Sequence, residues 1–498
     1  MLSDVVNMML DQNLDIASNR LTPRSSVLQT LVFYKFLQPS LSFTGTVSRN
    51  TAASTTQLNG AASLSTLQHN FSTSYTRSLA TGTTLGVTAT MARTSSNNSF
   101  STFNPSYSGR VTYSASQHLL QNWGRDVNMR QIRQAETNEK ISQTAFEIQL
   151  TSLLVTAQKA YWDLVYSEGD LKVKQDSLEL ARRTQTENEQ KVEIGTMAKI
   201  DVTLSQLDVA TRNDTVVGAV GTVTQSQDQI KKLISNTNDP AMFLINLKTM
   251  ESPKPPVANE IPTLNEAIAT ALENRPEIRQ ALLDLKNKEM DVQYTKNQKM
   301  PVLDVNASYT QNGTGGTQTV RGVLGTTNVT QVIPGGVFDA FQQLFGYKYT
   351  GYSLGFSLVI PVGNKAADAD FSRAVNERKL SSSKIDATTQ GIELDVRNAL
   401  TALEVARARV DTARLTRDLA KVTLDAEQQK FELGSSILRN VLEQQRTLAQ
   451  DESAQLQAAV TYTKALVDLD RAMGMTLKRN NIQVDKALKP LGSNGRAD

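Results

Sequence analysis

The sequence predicts a mixed α+β membrane protein that contains two copies of one structural unit. Three features predict it: a long internal repeat, uncharged segments with strand-like alternation, and long helical segments with a regular apolar seam. The repeat is clearest at residues 190–196, which return with conservative changes at 429–435, an offset of 239 (429 − 190). The same ungapped offset aligns 111–214 with 350–453, so we expect two equivalent modules.

The start of the repeat follows a second offset. Residues 10–16 align with 272–278 at an offset of 262 (272 − 10), and Pro39 then falls on Pro301. The first copy therefore carries 23 additional residues (262 − 239) between its two aligned parts. Both copies are expected to run in the order helix, strands, very long helix, turn and second helix.

The repeat and the element patterns predict the following division of the chain. The first repeat spans 1–235, with a helix at 3–36, strands at 40–118 and a helical hairpin at 124–235 whose tip lies near 195. A linker at 236–262, rich in Pro, Asn and Lys, joins it to the second repeat at 263–475. That repeat has a helix at 264–298, strands at 301–361 and a hairpin at 365–475 with its tip near 434, and a tail follows at 476–498.

The strand segments are almost free of charge. Residues 40–118 contain no Asp, Glu or Lys, and apolar residues alternate with Ser, Thr and Gly at 41–48, 79–89 and 111–115. The second copy alternates in the same way at 303–309 and 352–358. An ordinary sheet or a low-complexity linker is the alternative, but a linker does not alternate regularly and a wet sheet face carries Lys and Glu. The pattern therefore favours strands that face lipid.

Aromatic residues near the ends of these strands are candidates for the interfacial girdles of a barrel. They are Phe33, Tyr34, Phe36, Phe100, Phe103, Tyr107, Phe338, Phe341, Phe345, Tyr347 and Tyr349. Two strands in each half give four per chain, and a membrane barrel needs about eight or more. Because open sheet edges are not tolerated in lipid, the pattern predicts an oligomer.

The helical segments carry a seam in which apolar residues recur at spacings of four and three. In the second copy the seam includes Ile392, Val396, Ala399, Leu403 and Ala406, and the first copy repeats the same register. Such a repeat predicts coiled-coil packing. Residues 124–193 contain no Pro and, after Gly124, a single Gly, so one helix of about 100 Å is expected. Gly195 and Gly434 would end the long helices.

Composition excludes several classes of protein. The chain has no Cys, a net charge of only +3 and no run of 18 apolar residues, so it predicts no disulfide, no nucleic-acid partner and no transmembrane helix. His69 and His118 are interpreted as isolated polar residues on strands. No phosphate-binding loop, metal-ligand cluster or nucleophile–base pair is found, so we expect neither an enzyme nor a cofactor. The N-terminus lacks a signal peptide, and either a cytosolic chain or one without its leader fits the sequence.

The duplicated halves, the uncharged strands and the two hairpins that end in a Gly motif resemble the TolC-type outer-membrane efflux proteins. The most specific segments are Glu-Ile-Gly-Thr at 193–196, Glu-Leu-Gly-Ser at 432–435 and Ala-Leu-Glu-Asn-Arg-Pro-Glu-Ile at 271–278. The resemblance implies a homotrimer whose chains contribute four strands each to a twelve-stranded barrel in outer-membrane lipid. It also implies a helical cylinder that extends into the periplasm and receives cargo from an inner-membrane transporter through a periplasmic adaptor protein.

The resemblance implies that the adaptor engages the helix tips, although a tight turn alone also explains both glycines. The expected contact residues are Ile194, Gly195, Thr196, Met197, Leu433, Gly434, Ser435 and Ser436.

The resemblance also implies a periplasmic gate just beyond the second tip, where the family has inward carboxylates. The matching positions are Asn440 and Glu443, so one ring of three glutamates would remain, unless Glu443 is only a solvated helix residue. Asp201 lies opposite Asn440 in the repeat and would help hold the closed tips by polar links. Phe431 and Ser436 stand where Tyr and Arg are usual, so the closed state is expected to be held differently or less firmly.

One alternative function is a structural or adhesive trimeric coiled-coil surface protein, which would explain the seam but not the uncharged strands. Within the family, cargo can be small molecules, proteins or metal ions. Scattered Met residues such as Met8, Met9 and Met197 form no spaced ligand set, so the sequence does not select among them.

Overall fold

The computed structural model describes residues 1–56, 59–236, 240–253, 255–256, 261–322 and 328–484. The predicted linker at 236–262 and the predicted tail at 476–498 therefore lie partly outside the described residues. The chain divides into two compact units. A sheet unit comprises Ser26–Glu139 and Asp284–Ser381, and a helical unit comprises Met1–Ser25, Lys140–Leu283 and the described residues from Ser382 onward.

The sheet unit contains seven strands among the described residues: β1 (Ser40–Ala53), β2 (Ser63–Ser78), β3 (Thr83–Ser96), β4 (Phe103–His118), β5 (Val302–Arg321), β6 (Val329–Ile333) and β7 (Tyr349–Val359). They form one sheet in the order β1-β2-β3-β4-β5, and both β6 and β7 pair with the far edge of β5. Every pairing is antiparallel. The predicted combination of helices with a sheet that carries few charges is confirmed.

The expected count of two strands in each half is wrong. The first half has four strands and the described part of the second half has three, of which β6 is only five residues long. The segment predicted as a strand at 79–89 begins instead with a tight turn, in which the Leu79 amide donates to the Thr83 carbonyl at 2.8 Å and Gly82 has φ +86°. The strand β2 escaped prediction because Thr73 and His69 interrupt its apolar alternation.

Paired residues form continuous rows across the sheet, and the rows alternate between an apolar face and a polar face. One apolar row runs Leu41, Tyr75, Val87, Tyr113, Tyr309 and Tyr352. The next polar row runs Ser42, Ser74, Thr88, Thr112, Thr310 and Gly351. Because side chains alternate along a strand and match across it, these two rows define the faces of the whole sheet.

A short helix, α8 (Val337–Phe345), packs on the apolar face over a track of glycines. A Cβ atom added at Gly313 would lie 2.0 Å from the Ala340 carbonyl oxygen, and one at Gly315 would lie 2.3 Å from the Gly336 carbonyl oxygen. The helix therefore needs glycine beneath it. Ala340 and Leu344 are buried against the sheet. The opposite side of α8 exposes a stripe of aromatic residues: Phe338, Phe341 and Phe345.

The described helices other than α8 are α1 (Leu2–Gln12), α2 (Leu14–Phe33), α3 (Arg125–Asn128), α4 (Arg130–Glu193), α5 (Lys199–Ile234), α6 (Leu264–Asn274), α7 (Pro276–Gln298), α9 (Lys365–Glu432), α10 (Leu438–Ala472) and α11 (Thr476–Arg479). The single helix predicted at 3–36 is interrupted at Asn13, whose side chain accepts from the Ile16 amide at 3.0 Å. The helix predicted at 264–298 is interrupted at Arg275, because Pro276 begins a new helix at the position that tolerates proline.

Two equivalent cores fill the helical unit. In the first, Ala157 and Leu164 of α4 pack with Ile230 of α5 and with Met9 and Ile16. In the second, the corresponding seam of α9 packs with α6 and α10: Val396, Leu403, Tyr462, Leu469 and Ala267. Ala157 and Leu164 stand 239 residues before Val396 and Leu403, which is the offset of the repeat. Among the described residues no helix combines the length and apolar character needed to cross a bilayer.

We predict that Gly313→Val displaces α8 from the sheet, because its side chain would overlap the Ala340 carbonyl. Such overpacking typically costs about 1–3 kcal/mol. Trypsin should then cut faster at Lys348, which follows α8, in protein purified in detergent. Gly355→Val is the matched control, because a Cβ atom at Gly355 of β7 meets nothing within 4 Å. Equal cleavage rates in both variants would contradict the packing role of Gly313.

Candidate functional site

The two hairpin tips have the same backbone structure. After α4, the Gly195 amide donates to the Val192 carbonyl at 3.0 Å and the Thr196 amide donates to the Lys191 carbonyl at 2.8 Å. In the second tip, the Gly434 and Ser435 amides make the same two hydrogen bonds. The φ angle is +72° for Gly434 and +77° for Gly195. This pair of bonds with a left-handed glycine is the Schellman cap. The cap satisfies the last helix carbonyls and turns the chain towards α5 and α10.

Both tips expose apolar side chains. Ile194 and Leu433 occupy equivalent positions in the two turns, and they are 73% and 84% exposed. Both are exposed although the turns are otherwise polar. Ile200 and Ile437 are exposed nearby, whereas Met197 is half-buried. Exposed apolar groups on a rigid turn are suited to contact another protein.

The gate residues predicted on the second hairpin form a small polar cluster. Asn440 donates to the Ser436 hydroxyl at 3.3 Å, and Ser436 donates in turn to the Glu427 carboxylate. The hydrogen bond from Ser436 is the largest cause that lowers the pKa of Glu427, and Lys430 adds to it. The structure thus brings Ser436 and Asn440 together at the start of α10, and Ser436 reaches Glu427 of α9 across the turn. The sequence analysis missed Glu427, which gives this cluster its charge.

The other predicted gate residues lie around this cluster without joining it. The Lys191 ammonium lies over the Phe431 ring at 5.6 Å, so a cation–π contact links the two tips. Asp201 lies in the first turn of α5. Among the described residues it shares no hydrogen bond or ion pair with Asn440, Ser436 or Phe431.

Glu443 leads to a buried ion network that the sequence analysis did not identify. It is exposed on α10, and its carboxylate lies 3.8 Å from a guanidinium nitrogen of Arg446. Arg446 also pairs with Asp208 of α5 at 2.8 Å, and Asp208 pairs with Arg212 at 2.7 Å. Asp208 is only 1% exposed, so both cations are needed to compensate its buried charge.

Arg212 extends the network to the other helices of the bundle. It donates to the Ser177 hydroxyl of α4 at 2.6 Å and to the Gln445 side chain of α10 at 3.3 Å. Burial lowers the pKa of Arg212, and the charge of Asp208 opposes that effect. The network therefore joins α4, α5 and α10. The Asp–Arg spacing of four residues on α5 was a usable sequence signal, but Arg446 lies 238 residues away from Asp208.

The described residues contain no group of three or more His, Asp or Glu side chains that could hold a metal ion. Among the described residues, the site therefore consists of two apolar turns, a polar cluster and a buried ion network. It is suited to protein contact and to holding helices together. With a two-faced sheet of few charges in the same chain, these features indicate the class of outer-membrane channels.

Comparison with known families leads to the same class of protein. The family described as outer membrane efflux protein matches residues 83–236 and 267–475, which is more than half of the chain, and the protein belongs to this family. It is therefore an outer-membrane protein. Among characterised proteins, none matches the sequence significantly.

Several solved channels share the fold. The CmeC outer membrane channel of Campylobacter jejuni has 16% identity and a TM-score of 0.65, over 99% of this chain and 90% of that chain. The open-state MtrE channel of Neisseria gonorrhoeae has 18% identity and a TM-score of 0.63, over 96% and 90%. The outer membrane protein VceC of Vibrio cholerae has 10% identity and a TM-score of 0.65, over 95% and 96%. These similarities support the mixed helix-and-sheet fold.

We predict that Arg446→Gln destabilises the helical unit, because it leaves buried Asp208 with one cation instead of two. Arg446 is itself partly exposed, so we expect a loss of about 1–2 kcal/mol, less than the full effect of breaking a buried pair. Thermal unfolding in detergent measures it. Arg439→Gln is the control, because Arg439 is exposed on the same helix. If both variants unfold at the parent temperature, the network contributes nothing to stability.

Proposed function

We propose that the chain forms a homotrimeric outer-membrane channel-tunnel, which exports small molecules or proteins with an inner-membrane transporter and a periplasmic adaptor. The observation that carries this proposal is that both edge strands of the sheet are exposed. Every residue of β1 and every residue of β7 is exposed in the single chain. Backbone groups on such edges cannot remain unpaired in lipid, so other copies of the chain must cover them.

The strand directions support closure by identical copies. Six long strands pair in the order β1, β2, β3, β4, β5 and β7, and each is antiparallel to its neighbour. The two edge strands, β1 and β7, therefore run in opposite directions. β7 of one chain can therefore pair antiparallel with β1 of the next chain without reversing either. The result is a closed barrel with no free edge.

The tips support a contact with the adaptor. The predicted contact residues form two turns with the same backbone structure, and Ile194 and Leu433 project from them into solvent. A helical hairpin of a partner could bury both side chains, because apolar anchors on preorganised backbone bind with little loss of conformational entropy.

The gate belongs to the same proposal. Glu443 would form a ring of three carboxylates in the trimer, and the Arg446 guanidinium 3.8 Å away reduces the local negative charge. The ring therefore attracts cations less strongly than an isolated set of carboxylates would. Asn440 contributes hydrogen bonds but no charge, and Asp201 stays a predicted contact to a neighbouring hairpin. Cargo is chosen by the transporter, so the channel itself is permissive.

Cysteine pairs test the assembly, since the chain has no native Cys to interfere. The Thr44→Cys substitution on β1 is combined in turn with a Cys substitution of Gly351, Ser353, Gly355 or Ser357 of β7, all on the polar face. At least one pair should give disulfide-linked dimers and trimers on denaturing gels. Thr90→Cys on the central strand β3, combined with the same partners, should give none. A chain that stays monomeric with every pair contradicts the proposal.

The gate is tested by conductance in planar bilayers. The trimer should conduct poorly, and Glu443→Gln should lower its preference for cations because three carboxylates are removed from the constriction. Glu432→Gln, at the exposed end of α9, removes the same number of charges and should leave selectivity unchanged. If Glu443→Gln changes neither selectivity nor conductance, the gate lies elsewhere.

A further inference from the structure

The sheet has more long strands than the repeat explains. At the offset of 262, β1 corresponds to the start of β5, and at 239 Tyr113 of β4 corresponds to Tyr352 of β7. The repeat thus accounts for four long strands. β2 and β3 have no long counterpart among the described residues of the second copy. They lie between β1 and β4, where the first copy carries its additional residues.

The hairpin of β2 and β3 spans the full height of the sheet. Its β2 pairs with all of β1, from Ser40 opposite Thr76 to Ala53 opposite Ser63. Its β3 pairs with β4 from Thr83 opposite Gln117 onward. At the hairpin turn, the Gly82 carbonyl accepts from the His118 amide at 3.3 Å, beside the end of β4. The hairpin is therefore a part of the wall and not a loop that projects beyond it.

The hairpin also continues both faces of the sheet. Phe71, Tyr75, Val87 and Met91 lie on the apolar face in register with Leu41 and with the tyrosines of β4, β5 and β7. On the polar face, Ser74 and Thr88 share a hydrogen bond of 3.2 Å. A hairpin folded over the barrel mouth would not need an apolar face that matches the strands on both sides.

Charges on the apolar face of the hairpin stand only near its ends. Arg77 lies near the turn, and Arg93 lies opposite His69 towards the other end. Eight residues separate their rows (77 − 69), which is about 27 Å along a strand. A tilt of about 40° reduces this to about 21 Å of depth, close to the roughly 25 Å apolar band of outer-membrane barrels. Between these rows the apolar face of β2 and β3 carries no charge.

From this register we propose that β2 and β3 form an additional wall hairpin, so that each chain contributes six long strands and the trimer closes a barrel of eighteen. The inference rests on the trimer of the proposed function. Barrel width grows roughly linearly with strand number, so the bore would be about one and a half times that of twelve strands. The exit would therefore pass bulkier solutes, in the size range of an open aqueous channel.

Thiol labelling tests the position of the hairpin in the intact protein. Four single variants are compared: Val87→Cys and Thr88→Cys on β3, with Val111→Cys and Thr112→Cys on β4 as the reference pair. In outer membranes, a membrane-impermeant maleimide should modify the two Thr→Cys variants at least tenfold faster than the two Val→Cys variants, because only the polar face meets water. If Val87→Cys reacts as fast as Thr88→Cys while Val111→Cys stays protected, the hairpin stands outside the lipid and the inference is wrong.

Electron microscopy of the detergent-purified protein counts the strands. The parent trimer should have eighteen, and a variant without residues 63–96 should have twelve, since the deletion joins β1 to β4 in an antiparallel arrangement. A trimer of twelve strands in the parent overturns the inference and leaves the proposed function intact. A parent that is monomeric overturns the proposed function itself. If the deletion variant does not fold, the parent count and the labelling result still decide.

Discussion

The structure depends on one constraint, which is the pairing of backbone hydrogen-bonding groups where water is absent. Each unpaired amide or carbonyl in lipid costs several kcal/mol, and β1 and β7 together present 25 residues of open edge (14 + 11). No local rearrangement satisfies so many groups, because both edges are long. The antiparallel path and the opposite directions of the two edges would let identical chains satisfy one another in the proposed trimer.

The helical unit solves the same problem within each helix, so its constraint is side-chain packing. Ala157 and Leu164 of α4 occupy the positions that Val396 and Leu403 occupy in α9, and both seams are buried. Small residues in the seam let the helices approach closely, as in coiled coils. The long helices then end at the same glycine caps, so duplication has preserved the packing and its termination together. Each tip therefore holds its exposed apolar residue on a turn that the glycine cap fixes.

Much of this could be predicted from the sequence, because the repeat, the apolar seams and the Gly caps are local or strictly periodic signals. The strand β2 was harder to recognise. On β2, His69 and Thr73 share a face with Phe71 and Tyr75, and this mixture hides the alternation until the partner strands are known. The ion network could not be predicted from the sequence, for another reason. Asp208 and Arg446 are far apart in sequence, and only the packing of α5 against α10 makes them partners.

That network links the two hairpins of the chain, where the expected latch residues are absent. Ser436 and Phe431 cannot supply the charge and phenol that Arg and Tyr would supply, and Ser436 is instead engaged with Glu427 of its own hairpin. A link between hairpins must then come from elsewhere in the helices. Asp208 and Arg446 form such a link between α5 and α10. Because Asp208 is only 1% exposed, salt screens this ion pair less than a pair at an exposed tip. Separating these helices would take one of two cations away from the buried Asp208 carboxylate, so the ion pair holds α5 and α10 together.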